Sequence, residues 1–136
     1  MSQGNVEIVH RLVDAWNRRD VDAMLALTDP ECEYINSPTA VEPGTRRGSD
    51  ELVAVAQSQW EILTDARQEV DRASDRGEVI ISLGRVSRRM PGSDDRIEDR
   101  SLVAWTFRDG KLIRLEVLGF GATKVRGALE AAGLSE

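Results

Sequence analysis

The chain of 136 residues holds one cysteine, Cys32, and one histidine, His10. A single thiol excludes an intramolecular disulfide, and with so few soft ligands the usual cysteine and histidine zinc clusters are excluded as well. No apolar run approaches the ~20 residues that span a bilayer. The opening MSQGNVEIVHRL is broken by charge, so no leader peptide or membrane partner is expected, and the chain reads as cytoplasmic. Excess positive charge is also lacking, with 24 acidic residues against 18 basic ones and a net charge of -6. The one arginine-rich stretch, Arg85, Arg88, Arg89, Arg96 and Arg100, is interleaved with Asp94, Asp95, Glu98 and Asp99. That pattern predicts a charge-balanced, solvated hairpin and no nucleic-acid partner. Phosphate-binding glycine loops, a nucleophile elbow and metal-ligand spacings are missing too, so neither a metal nor a cofactor is expected.

What is present suffices for one domain spanning 1–136 with its own core. Val6, Val9, Val13 and Trp16 recur at helical spacing, widened by Leu12, over a first helix from about Val6 to Arg18. A short second helix starts at Asp20, carries Met24, Leu25 and Leu27, and is stopped by Pro30. CEYINS reads as a short strand, followed by a loop from Pro38 to Gly48. A third helix after Ser49 has Asp50 and Glu51 at its positive end and a stripe of Leu52, Ala56, Trp60 and Leu63. Beyond Ala66 the period falls towards two, with strands at about 66–74, 78–90, 97–107 and 111–118. A last helix bears Val125, Ala128, Leu129 and Ala132 and ends at Gly133. Helices followed by an antiparallel meander give an α+β fold.

Which side chains face inward depends on the Arg108-Asp109-Gly110 turn. A three-residue loop pairs Trp105 with Ile113, Val103 with Leu115 and Ser101 with Val117. It gathers Val103, Trp105, Phe107, Ile113, Leu115 and Val117 on one apolar face, with Arg114 and Glu116 on the other. Asp99 and Ser101 then face inward. In strand 78–90 the inward set is read as Val79, Ile81, Leu83, Arg85, Ser87 and Arg89. Were the register otherwise, Glu116 would be the leading base.

The runs VHRLVDAWNRRDVDAMLALTDPECEYIN, RRGSDELVAV and WTFRDGKLIRLEV...ALEAAGL resemble the SnoaL-like family of the nuclear transport factor 2 superfamily, over nearly the whole chain. The resemblance implies a cone: a curved antiparallel sheet wrapped around helices, enclosing an apolar pocket, in a homodimer joined through the sheet's outer face. It also implies work without cofactors on a small hydrophobic molecule. Ketosteroid isomerase positions fall on Ser37, Leu12 and Val103, none of which can do that chemistry. Limonene-type epoxide hydrolases match better. Their water-holding tyrosine and asparagine fall at Tyr34 and Asn36 and their arginine at Arg85, but their two aspartates fall on Ser87 and Val117. The aspartate of polyketide cyclases also lands on Val117.

An inward arginine needs an acceptor. The expectation is therefore a pair of Arg85 and Asp99, with Tyr34 and Asn36 completing a catalytic group. Trp16, Trp60, Ser87, Ser101, Val103, Trp105, Leu115 and Val117 would line the ligand, although Trp16 and Trp60 also read as plain core. Two functions follow: cofactor-independent acid–base catalysis on a polyketide- or terpenoid-like substrate (cyclization, isomerization, dehydration or epoxide hydrolysis), or binding without catalysis. Leu102, Ala104, Thr106, Leu112 and Leu118 would form the outer, dimer-forming face.

Overall fold

The computed structural model describes residues 2–36 and 44–134. Its elements are α1 (Ser2–Arg18), α2 (Val21–Ala26), β1 (Thr28–Asn36), β2 (Gly44–Arg47), α3 (Ser49–Ile62), β3 (Arg67–Arg76), β4 (Val79–Arg89), β5 (Arg96–Arg108), β6 (Lys111–Phe120) and α4 (Ala122–Ala131). The predicted loop from Pro38 to Gly48 lies partly outside the described residues; its last part forms β2, too short and polar to show an alternation. Asp20 caps α2, its carboxylate accepting from the Ala23 N–H at 3.1 Å.

The six strands form one open sheet in the order β2-β1-β6-β5-β4-β3. β1 runs parallel to β6 and the other pairs are antiparallel. Helices α1 and α3 pack on the concave side, where Val9, Leu12 and Val13 meet Leu52, Val55, Cys32, Tyr34, Ile80, Trp105, Phe107 and Leu112. Each fully buried aliphatic or aromatic side chain in this core contributes about 1.5–3 kcal/mol. On the convex side α4 covers Leu83 and Leu102 with Val125 and Leu129. The entry to α4 lies so close to Gly119 that a Cβ there would sit 2.9 Å from the Lys124 carbonyl.

The turn between β5 and β6 differs from the three-residue loop expected. Arg108 pairs with Lys111, and Asp109 and Gly110 both have positive φ, at 53° and 76°. This is the two-residue type I′ geometry. A β-bulge restores the apolar face: Phe107 pairs with Leu112 and Thr106 with Arg114, leaving Ile113 as the extra residue. Trp105 consequently pairs with Leu115, Val103 with Val117, and Ser101 with Phe120. Val103, Trp105, Phe107, Leu115 and Val117 share the concave side as expected. Arg114 and Glu116 lie on the other, 3.5 Å apart.

Strand β4 shows the opposite parity to the one expected. Ile80 lies in the concave core, and Ser82 accepts the Trp105 indole N–H at 2.9 Å. Ile81 and Leu83 belong to the cluster under α4. Arg85 and Ser87 therefore face the convex side, while Val86 and Arg88 face the concave one. Both alternations of β4 are apolar at this end because both faces are covered, so hydrophobic pattern alone could not choose between them. Three of the residues expected on a free outer face are placed otherwise. Leu112 is fully buried in the concave core, and Leu102 and Leu118 pack with α4.

Gly84 pins this arrangement. Val70 pairs with Gly84 and Arg72 with Leu83, so Asp71 is the extra residue of a bulge. There the Glu69 carbonyl would stand 2.2 Å from a Cβ added at Gly84. Replacing Gly84 by alanine must push the β3 backbone away, and it should cost about 3 kcal/mol in urea unfolding. A loss below ~1 kcal/mol would show that the bulge yields freely.

Candidate functional site on the concave face

The register lays the concave side chains out in rows. Tyr34, Leu115, Trp105 and Ile80 form one row across β1, β6, β5 and β4. Val117, Val103 and Ser82 form the next, with Asn36 at its β1 end. Then come Ser101 with Gly84, Asp99 with Val86 and Gln68, and Ile97 with Arg88. The surface thus passes from packed core to half-buried apolar residues, and then to a charged pair at the far end.

At the β1 end, the Asn36 amide donates to the Tyr34 hydroxyl at 3.2 Å. Tyr34 is buried and Asn36 half-buried. At the far end, Arg88 Nη1 lies 3.6 Å from Asp99 Oδ2, both side chains about one-third exposed, at 38% and 33%. Nearby, the end of α1 is tied to the sheet by Asn17. Its amide donates to the Gln68 carbonyl at 2.9 Å, and its oxygen accepts the Gln68 N–H at 2.7 Å.

The predicted constellation is therefore divided. Asp99 and Ser101 lie on the concave side as expected, and Tyr34 and Asn36 are together. Asp99, however, sits four residues along β5 from the Val103 row, about 13 Å at strand rise. Its partner is Arg88, which sequence reasoning missed; the parity of β4 was the signal that would have found it. Arg85 binds Asp71 through two oxygens at 2.9 and 3.0 Å, Glu98 at 3.0 Å, and also Glu69. Hydrogen bonding to Asp71, then to Glu98, raises the Arg85 pKa above its ordinary value. Ser87 accepts from Arg96 at 2.9 Å. The same arginine holds Asp65 at 2.8 Å and keeps its carboxyl below the usual range. Neither Arg85 nor Ser87 reaches Asp99.

Trp16 and Trp60 sit in a second cluster with Ala15, Met24, Ala56 and Ala66. Their rings are tilted at 56° with centroids 5.8 Å apart, and the Arg19 guanidinium lies 5.5 Å from the Trp60 centroid. The Trp60 indole N–H is the one buried side-chain polar group without a partner among the described residues. This is packing geometry, in line with the core reading of both tryptophans. His10 is exposed on α1. Burial pushes the Cys32 thiol up to about 12, aided by Asp29 and Glu33, so it stays protonated and is no nucleophile. Among the described residues no group of three potential metal ligands occurs, and no helix is long and apolar enough to cross a membrane.

The SnoaL-like domain model matches residues 9–115, and the chain belongs to that family. A protein described as a SnoaL-like polyketide cyclase, from Jannaschia sp. CCS1, superimposes with a TM-score of 0.76 at 19% identity, over 96% of this chain and 94% of that one. A nuclear transport factor 2-like protein of Burkholderia thailandensis E264 is 27% identical, with a TM-score of 0.73 over 90% and 95% of the two chains. TerC, co-crystallized with polyporic acid, is 19% identical, with a TM-score of 0.72 over 93% and 98%. The fold is the α+β cone of the nuclear transport factor 2 superfamily, a frame that proteins of small-molecule enzyme type share. No curated protein matches the chain by sequence.

Proposed function

We propose that the concave face binds a small, largely apolar molecule of polyketide or terpenoid type, with its polar end at Asp99 and Arg88. The observation that carries this reading is the gradient along β5, from Trp105 and Val103 through Ser101 to the Asp99–Arg88 pair. An apolar surface ending in a few fixed polar groups is the usual chemistry of a small-molecule site. The polyporic acid bound to TerC, a neighbour of the same fold, supports an oxygenated ring compound as the ligand class. Epoxide opening is not proposed, because Arg85 is spent on the convex face.

A second reading, acid–base turnover, rests on one observation: Asp99 is a concave-face carboxylate with an arginine beside it. A positioned acid or base is worth about 10²–10⁴ in rate, and Asp99 is the group that would supply it. Asn36 and Tyr34 would then shape the concave surface two and three rows away.

Polyporic acid and related quinones and aromatic polyketides should raise the melting temperature by several degrees. At a hundredfold excess over Kd the stabilisation is about 2.7 kcal/mol. With binding alone, Asp99→Asn weakens the shift and no product forms from any ligand. With catalysis, the wild type forms product and Asp99→Asn does not. No stabilisation by any compound of this class would remove the concave-site reading.

Pairing of two copies through the convex face is also proposed, around half-buried Ala104 and Thr106 beyond the edge of α4. Sedimentation equilibrium should return a dimer; a monomer at every concentration would remove the pairing.

A further inference from the structure

Among the described residues three large apolar side chains are exposed: Ile62, Met90 and Phe120. Ile62 ends α3 and Met90 follows β4, whereas Phe120 holds a paired position in the sheet, opposite Ser101. A single exposed apolar residue is ordinary on a protein surface. Phe120 is distinguished by where its strand aims it. Val117 pairs with Val103 and Gly119 with Leu102, so Leu118 is the extra residue of a second bulge in β6. Regular alternation from concave Val117 would turn Phe120 to the convex side. The bulge reverses this. Leu118 and Gly119 both turn towards α4, and Phe120 stands beside Ser101 on the concave side, still 48% exposed. Bulges next to binding sites re-aim side chains in this way.

The position is also held firmly. Just past Phe120, the Gly121 N–H donates to the Arg100 carbonyl at 2.8 Å, and the Gly121 carbonyl accepts the Val125 N–H at 2.9 Å. The backbone there is tied to β5 and to α4 at once. Across the strand, Ser101 is too short to cover a phenyl ring. Its neighbours on the concave side of β5 are unlike. Val103 lies one row back, and Asp99 with Arg88 lies at the next positions on, each about 7 Å along the strand. Phe120 therefore stands where the apolar surface gives way to the charged pair.

We propose that Phe120 is a specificity-determining residue of the concave site, the wall against which a flat ring packs over Ser101 while an oxygen of the ligand reaches Asp99 and Arg88. It favours a planar, unsaturated ring over a puckered one of the same skeleton. The proposal rests on the concave-face reading and deepens it.

The test uses 2-naphthol and decahydro-2-naphthol, which share a skeleton and a hydroxyl and differ in flatness. Each is titrated by methyl NMR into the whole chain, as wild type, Phe120→Leu and Phe120→Trp. Both compounds should shift the methyls of Val103, Leu115 and Val117 saturably. An aromatic pair is worth about three- to tenfold in binding beyond the area it buries. The ratio of the two dissociation constants should therefore move by that factor against 2-naphthol in Phe120→Leu, and return in Phe120→Trp. A merely structural Phe120 would shift the melting temperature and both constants together. An unchanged ratio in Phe120→Leu overturns the proposal and leaves the concave-face reading standing. A ratio in Phe120→Trp that matches the leucine variant overturns it equally. If neither compound nor polyporic acid moves the concave methyls, the concave-face reading fails and the proposal falls with it.

Discussion

The hydrogen bond from the Trp105 indole to Ser82, 2.9 Å long and buried, is the contact on which the placement of the whole site depends. It selects the parity of β4. A slip of one residue would strand the indole N–H among apolar neighbours, at about 1–3 kcal/mol. It would also carry Arg85 onto the concave side, opposite Ser101 or Asp99, and Val86 onto the convex charge cluster. Gly84 closes the alternative from the other side, because the β3 bulge leaves no space for a side chain there. Once parity is set, Arg88 must face Asp99, and Arg85 must face the bulged Asp71.

The two arginines illustrate how a sheet buried on both sides divides its labour. Arg85 satisfies three carboxylates on the convex face and ties β3, β4 and β5 together at the edge. Among the described residues Arg88 has one, looser carboxylate partner, on the concave face. A guanidinium saturated by acids is a structural clamp. A guanidinium with one half-exposed partner can still turn towards a ligand. The concave surface thereby combines a rigid apolar end with a polar end that has freedom to adjust.

Much of this was legible in the residues. The helical stripe of Val6, Val9, Val13 and Trp16, the change to a period of two after Ala66, and the turn residues marked an α+β fold, the resemblance to the SnoaL-like family implied the cone, and the apolar pattern of β5 and β6 grouped Val103, Trp105, Leu115 and Val117 on the concave side. Two things were not legible. The Asp109-Gly110 turn is as short as its residues permit, and the apolar face is recovered by a bulge at Ile113 that no local pattern announces. For β4, Val79, Ile81 and Leu83 alternate as well as Ile80, Ser82 and Gly84 do, because α4 covers one set and α1 with α3 the other. The small residues Ser82 and Gly84 were the available clue, since a hydroxyl beside an indole and a missing Cβ both mark close approach.

The most direct test is a pair of double-mutant cycles in urea, joining Arg85 first to Asp71 and then to Asp99, with alanine at each position. The account predicts a coupling beyond experimental error for Arg85 with Asp71 and none for Arg85 with Asp99. Coupling to Asp99 without coupling to Asp71 would place Arg85 inside the cone, and the division of the site described above would be wrong.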